Sequence, residues 1–336
     1  MNLALLSRFS KNRRTNSVLV KIDQLRQHPI FRGARIDVYL PTLQPEKLII
    51  VLGQAHTVWR GKIGNRERRK IVNCQARLCS YYAYFEQFQG IKSFGGEGIY
   101  DGLETSFHDR ISFKLYDDVA QGLHIEQPVP LEKLNIVAQS ILADLGRQWH
   151  GALRQQQDLK KIQTLAAAVS GYSLFNFLNQ GRIKVYPIEG EAAYQKVLIG
   201  ISHLGDRIEK LENSFEMQSI IQRGGTSKNE KEAQVVTQYN ALVREFNHLI
   251  GSDIRERATM EIVRQKADQE GVVVMTMGVG HRHNYFQLVE EYLGSTNKAF
   301  VFITAPELLL NWWLLIGAPL LILGLVLGLN WWITGG

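Results

Sequence analysis

Short, uninterrupted apolar runs alternate along this chain with long segments whose apolar residues recur every three or four positions. Leu48 to Leu52 and Val272 to Met277 are runs of the first kind, of strand length and rich in Val, Ile and Leu. Continuous apolar segments of that sort suit strands buried on both faces of a parallel sheet. Ile36 to Leu40, Ile91 to Phe94, Arg182 to Ile188 and Ala299 to Thr304 read as further strands, and Gly95-Gly96-Glu97-Gly98 as a tight turn closing one of them. Helical patterns fill about 65 to 89, 191 to 222, 230 to 270 and 284 to 293. Within the second of these, Val197, Ile201, Leu204, Ile208, Leu211 and Phe215 recur at alternating steps of four and three. Strands alternating with helices predict an α/β domain with a mainly parallel sheet flanked by helices. Residues 105–180 read as mostly helical, without definable element bounds.

Residues 1–45, punctuated by Pro29, Pro41 and Pro45, form a lead-in to a domain over 46–306. The two helical patterns across 191–270, separated by Arg223 to Asn229, predict a long helical hairpin. Its near-heptad spacing suits a projecting arm, a dimer contact or packing on the sheet.

From Leu308 onward there is no charged residue. Residues 308–333 are long enough to cross a bilayer as one helix, and Trp312-Trp313 and Trp331-Trp332 mark its ends, roughly 28 Å apart at ~1.5 Å per residue. Gly324 and Gly328 form a small-xxx-small step that would serve a homodimer. With no secretory signal ahead of it, this pattern predicts a single-pass, tail-anchored membrane protein whose soluble domain faces the cytoplasm.

The formal net charge of +7 over 336 residues changes this picture little. Basic residues are dispersed apart from Arg60, Lys62, Arg66, Arg68, Arg69 and Lys70 and a second group at Arg8, Lys11, Arg13 and Arg14. Neither group lies in a nucleic-acid motif or among stacking aromatics, which argues against a nucleic-acid partner. The only cysteines, Cys74 and Cys79, have a spacing that fits neither a redox pair nor a zinc knuckle, as expected in a reducing compartment.

The candidate chemistry sits at strand ends. Gly53-Gln54-Ala55-His56 and Gly278-Val279-Gly280-His281 each close an apolar run, where a Gly permits a close backbone turn and a His offers imidazole to a metal or a proton to a substrate. Gly200-Ile201-Ser202-His203 has the same spacing but lies in a helical pattern, so His203 reads as an ordinary helix residue. His56, Glu97, Glu189 or Glu191, and His281 all follow predicted strands and would gather on one sheet edge. Imidazole with carboxylate suits zinc, manganese, cobalt or iron, and an open coordination position would activate water with a carboxylate as general base. His283 is a further candidate ligand, although alternation would turn it away from His281.

This ordered set, with the helix start Glu256-Arg257-Ala258-Thr259-Met260 ahead of the second Gly-x-x-His and a closing strand near Pro306, resembles the TraB/PrgY family, with the Tiki proteases as relatives. The resemblance covers about residues 46–306. It implies a membrane-tethered metal-dependent hydrolase, peptidase-like, acting on signalling or regulatory peptides and using a divalent ion such as manganese, cobalt or zinc. It assigns His56 and His281 as the family histidines, Glu97 as the acidic residue after the second strand, with Glu189 a looser match. It also assigns Arg257 as the family arginine, expected to stabilise negative charge on the substrate. The substrate would be a peptide or a small molecule; the alternative is a non-catalytic membrane protein that binds or sequesters a peptide or haem in the same cleft.

Overall fold

A computed structural model describes residues 16–55, 65–91, 93–100, 105–127, 129–155, 157, 159–180, 184–223, 225–250 and 253–309. Its centre is a six-stranded sheet. The strands are β1 (Arg35–Tyr39), β2 (Lys47–Gln54), β3 (Ser93–Tyr100), β4 (Lys184–Glu189), β5 (Val272–Gly278) and β6 (Lys298–Thr304), in the order β1-β6-β2-β5-β3-β4. Only β1 runs antiparallel, against β6; the other pairings are parallel. The α/β architecture is therefore as the alternation of strands and helices predicts.

The continuous apolar runs are buried on both faces. Leu48, Ile50 and Leu52 of β2 point into one core, Ile49 and Val51 into the other, and each is at most 2% exposed. Burial of such a side chain contributes about 2 kcal/mol. The larger core lies under α1 (Ser17–Gln27) and α2 (Asn65–Gln89), with α3 (Thr105–Gly122), α4 (Leu131–Arg154), α5 (Leu159–Ala168) and α6 (Gly171–Leu178) packed outside or beside them. These last four helices resolve the region that sequence reading leaves undivided. The opposite core is smaller, and it is closed by α10 (Ile254–Glu270) and α11 (Arg282–Leu293) through Met260, Val263, Ala267, Tyr285 and Val289.

Two local expectations are corrected. Gly95-Gly96-Glu97-Gly98 is the interior of β3, not a turn. A β-carbon on Gly95 would come within 2.8 Å of Met275 Cβ and would also strike Ile188, so the glycine serves close passage between β5 and β4. The 191–270 region is also more divided than a two-helix hairpin. Ser214 caps a break, accepting a bond from Met217 N–H, between α7 (Glu191–Glu212) and α8 (Phe215–Gln222). The second arm ends as α9 (Glu230–Ile250), and the chain restarts as α10. α7 and α9 pack side by side as a hairpin, with Gly200 against Leu249 and the Tyr239 hydroxyl bonded to Glu212, whereas α10 lies on the sheet. Among the described residues no helix is long and apolar enough to cross a membrane; the expected span, from residue 310 on, falls outside them, as do Gly324 and Gly328.

Candidate active site

The parallel strands deliver their carboxyl ends to one edge. β2 and β5 are neighbours, and Gln54 stands in register with Gly278, so the two Gly-x-x-His words leave the sheet side by side despite the sequence between them. His56 itself lies outside the described residues. The strand end before it is fixed by Gln75, a buried residue of α2 that donates from Nε2 to Ala55 O at 2.6 Å and accepts from the Gly171 N–H at 2.8 Å. His281 ends a short 3-10 turn (Val279–His281) that runs straight into α11.

Glu97, on β3, is brought to the same place. Its Oε2 accepts from Gly278 N–H at 2.5 Å and from Gln54 Nε2 at 3.1 Å, while its Oε1 lies 3.5 Å from His281 Nε2. One carboxylate thus ties together β2, β3 and β5. Glu189, the last residue of β4, is 1% exposed and is held by the guanidinium of Arg255, which also reaches Glu97 Oε1 at 3.4 Å. Glu191 is exposed in the first turn of α7.

The other side of His281 is occupied by Glu256. This carboxylate is fully buried, bonds His281 Nδ1, and accepts from Asn284 Nδ2 at 2.9 Å. Burial lowers the imidazole pKa, but hydrogen bonds and charge from Glu256 and Glu97 outweigh it and leave His281 at about 9. Behind them Tyr285 is fully buried, and burial, with the field of the nearby carboxylates, keeps its hydroxyl protonated.

The structure brings together Glu97, Glu189 and His281 of the residues singled out from sequence. Arg257 lies elsewhere: it pairs with Asp253 at 2.8 Å and with Glu291 at 2.6 Å, and is 42% exposed. The guanidinium in the cleft is that of Arg255, two positions earlier on α10. His283 is exposed and faces Gln287 at 2.9 Å. Arg255 and Glu256 are the cleft residues that sequence reading does not identify. Their signal is the helix start at Asp253, which Gly251-Ser252-Asp253 marks and the reading of 230–270 as one helical pattern passes over.

What could a cation find here? His281 Nε2 and the Glu97 carboxylate face each other, and the bond from Nδ1 to Glu256 fixes the ring so that Nε2 points inward, the arrangement that orients metal-binding histidines. Ligand atoms about 2.1 Å from a tetrahedral ion stand about 3.4 Å apart. Among the described residues no group of three His, Cys, Asp or Glu converges to hold a metal. A cavity of about 380 Å³ elsewhere, on the outer side of α2, is lined by His28, Arg77, Ser80, Tyr84 and Leu134 and shares no residue with the cleft. Compared with protein-family models, curated proteins and solved structures, the chain matches none.

Proposed function

We propose that this chain is a membrane-anchored, metal-dependent hydrolase of the TraB/PrgY kind, cleaving peptides in the cleft at the carboxyl edge of the sheet. The observation that carries the reading is the placing of His281 between two carboxylates: Glu256 fixes Nδ1, and Nε2 stands 3.5 Å from Glu97 Oε1, the separation of two ligands on one tetrahedral ion. His281, Glu97 and His56 would hold a divalent ion such as manganese, cobalt or zinc. Such an ion polarises a substrate carbonyl and lowers the pKa of a water molecule.

The protein's own groups supply the rest. Glu97 takes a proton from the attacking water as its oxygen bonds to the carbonyl carbon, and returns that proton to the amine as the C–N bond breaks. Arg255, anchored by buried Glu189, presents N–H donors beside Glu97, where charge develops on the substrate oxygen. Glu256 keeps the His281 ring in one orientation, and Gln54 and the Gly278 N–H do the same for Glu97.

The test uses the full chain purified in detergent. Metal analysis after dialysis against each ion, followed by a peptide-library screen with and without added manganese, cobalt or zinc, is expected to give stoichiometric metal and metal-dependent cleavage, both lost in His281→Ala. A folded chain that binds none of these ions, or cleaves equally well in chelator, overturns the proposal.

A further inference from the structure

The direction in which the chain leaves the sheet bears on where this cleft faces. β6 runs parallel to β2, with Thr304 in register with Gly53, so the chain exits at the same edge that carries Gln54, Gly278 and Glu97. At ~4.8 Å per strand, this exit lies roughly 15 Å from the end of β3, three strands away. It is not a loose tether. Ala305 is buried, the turn Pro306–Leu308 packs on α2, and Glu307 is clamped by Arg77 at 2.8 and 2.7 Å. The uncharged apolar sequence begins at Leu308, which leaves no linker between the domain and that segment.

A second, independent feature points the same way. α2 runs down the sheet: Gln75 meets Ala55 at the carboxyl edge, and Phe85 and Gln89 lie beside Leu48 and Val272 at the other end. The ten residues before Gln75 therefore extend about 15 Å beyond the edge, at ~1.5 Å per residue. They carry Arg66, Arg68, Arg69 and Lys70 against one acid, Glu67. Arg68 is buried and held by His150, and Lys70 is half-buried with a partner inside the domain, whereas Arg69 is exposed to meet a headgroup. Cations in the first turns of a helix oppose its dipole, so their presence there is better accounted for by an anionic partner than by helix stability.

We infer that the carboxyl edge is the face turned toward the bilayer, with anionic lipid headgroups as the partner of the basic start of α2. The inference rests on residues 308–333 being the membrane anchor, and it deepens the proposed function: the cleft takes its peptides from the lipid surface instead of from bulk solution. A short, clamped exit and a basic patch on one edge hold the domain in that orientation.

Orientation is read without any catalytic assay. Full-length Asn73→Cys and Gln269→Cys variants, which keep every cation of the basic patch, are labelled with a thiol-reactive fluorophore; Asn73 is exposed on α2 at the carboxyl edge, Gln269 is exposed near the start of β5, on the opposite edge, and Cys74 and Cys79 are fully buried. The variants are reconstituted into phosphatidylcholine vesicles with or without phosphatidylglycerol and containing a headgroup-attached quencher. Several-fold stronger quenching at position 73 than at 269, with a smaller contrast in the neutral vesicles, is the expected result. Equal quenching, or stronger quenching at 269, overturns the orientation, and a contrast unchanged in neutral vesicles overturns the role of anionic lipid. Failure to float with the vesicles overturns the anchor and the inference with it. Loss of peptide cleavage alone, with the quenching pattern intact, counts only against the hydrolase reading.

Discussion

His281 bonds through Nδ1 to a carboxylate, Glu256, that has no exposed surface. Buried carboxylates are tolerated where a charged or hydrogen-bonded partner meets them, and here His281 and Asn284 do so. Glu256→Gln keeps an acceptor for Nδ1 but removes the charge. The His281 pKa is expected to fall from about 9 toward the ordinary imidazole value, and metal affinity to fall by roughly 10- to 100-fold. Imidazole titration by NMR and metal titration check the two effects separately. Glu256→Ala also strips the partners and should destabilise the chain by about 3–5 kcal/mol.

Glu97 is both a structural tie and the expected base. In Glu97→Gln an amide replaces a carboxylate that faces Arg255 and His281, so a loss of about 1–3 kcal/mol in stability is expected from imperfect pairing. Hydrolysis should fall by roughly 10²- to 10⁴-fold or more. Urea unfolding and turnover of the same preparation distinguish the two: an unfolded variant says nothing of catalysis, and a folded, fully active one removes Glu97 as base.

The raised pKa of His281 gives the metal-free chain a defined pH dependence. Its folded value of about 9 lies above the unfolded value of ~6.5, so the folded state binds the proton more tightly. The resulting stabilisation, on the order of 3 kcal/mol, is complete below about pH 6.5 and is lost as pH rises through about 9. Urea midpoints measured across that range, for the native chain and for His281→Gln, should converge at high pH. Parallel curves for the two would show that the pair contributes no such linkage.

Arg255 and Arg257 make a matched comparison on one helix. Arg255→Lys retains charge but loses the planar fork that spans Glu189 and Glu97, and turnover should drop by about 100-fold with metal content unchanged. Arg257→Lys alters an exposed pair with Asp253 and Glu291, worth about 0–1 kcal/mol, and should leave turnover near that of the native chain. The opposite ranking in steady-state kinetics would return the clamp role to Arg257.

The sheet was legible because its strands announce themselves: Leu48 to Leu52 and Val272 to Met277 are apolar without interruption, and only burial on both faces accounts for that. The glycines at their ends marked the edge where Glu97, Glu189 and His281 meet. What stayed hidden depends on helix breaks and on close passage. The break between α9 and α10 is marked locally by Gly251-Ser252-Asp253, a stop and cap signal that the reading of 230–270 as one pattern passes over, and with it the start of α10 that brings Arg255 and Glu256 to the cleft. Gly95-Gly96 has the composition of a turn, and its true role, allowing β3 to pass between Met275 and Ile188, is set by residues far away in sequence. The four helices α3 to α6 share their apolar surface among one another and α2, which blurs the single-stripe pattern that defines an isolated amphipathic helix.

The strand order also fixes when this cleft can come into being. Among the described strands β5 and β6 are made last, yet β5 lies between β2 and β3 and β6 between β1 and β2. A nascent chain that has made β1 to β4 can therefore pair only β3 with β4, while β1 and β2 await neighbours still to be translated. Such long-range pairings form slowly and leave strand edges open to wrong partners meanwhile, so this chain is expected to lean on chaperones until its C-terminal portion is out. The same order withholds His281 until β5 has been made. Gln54 and Glu97 exist early, but only the arrival of Gly278 and the residues after it draws them together, so no product that stops before β5 carries the assembled cleft.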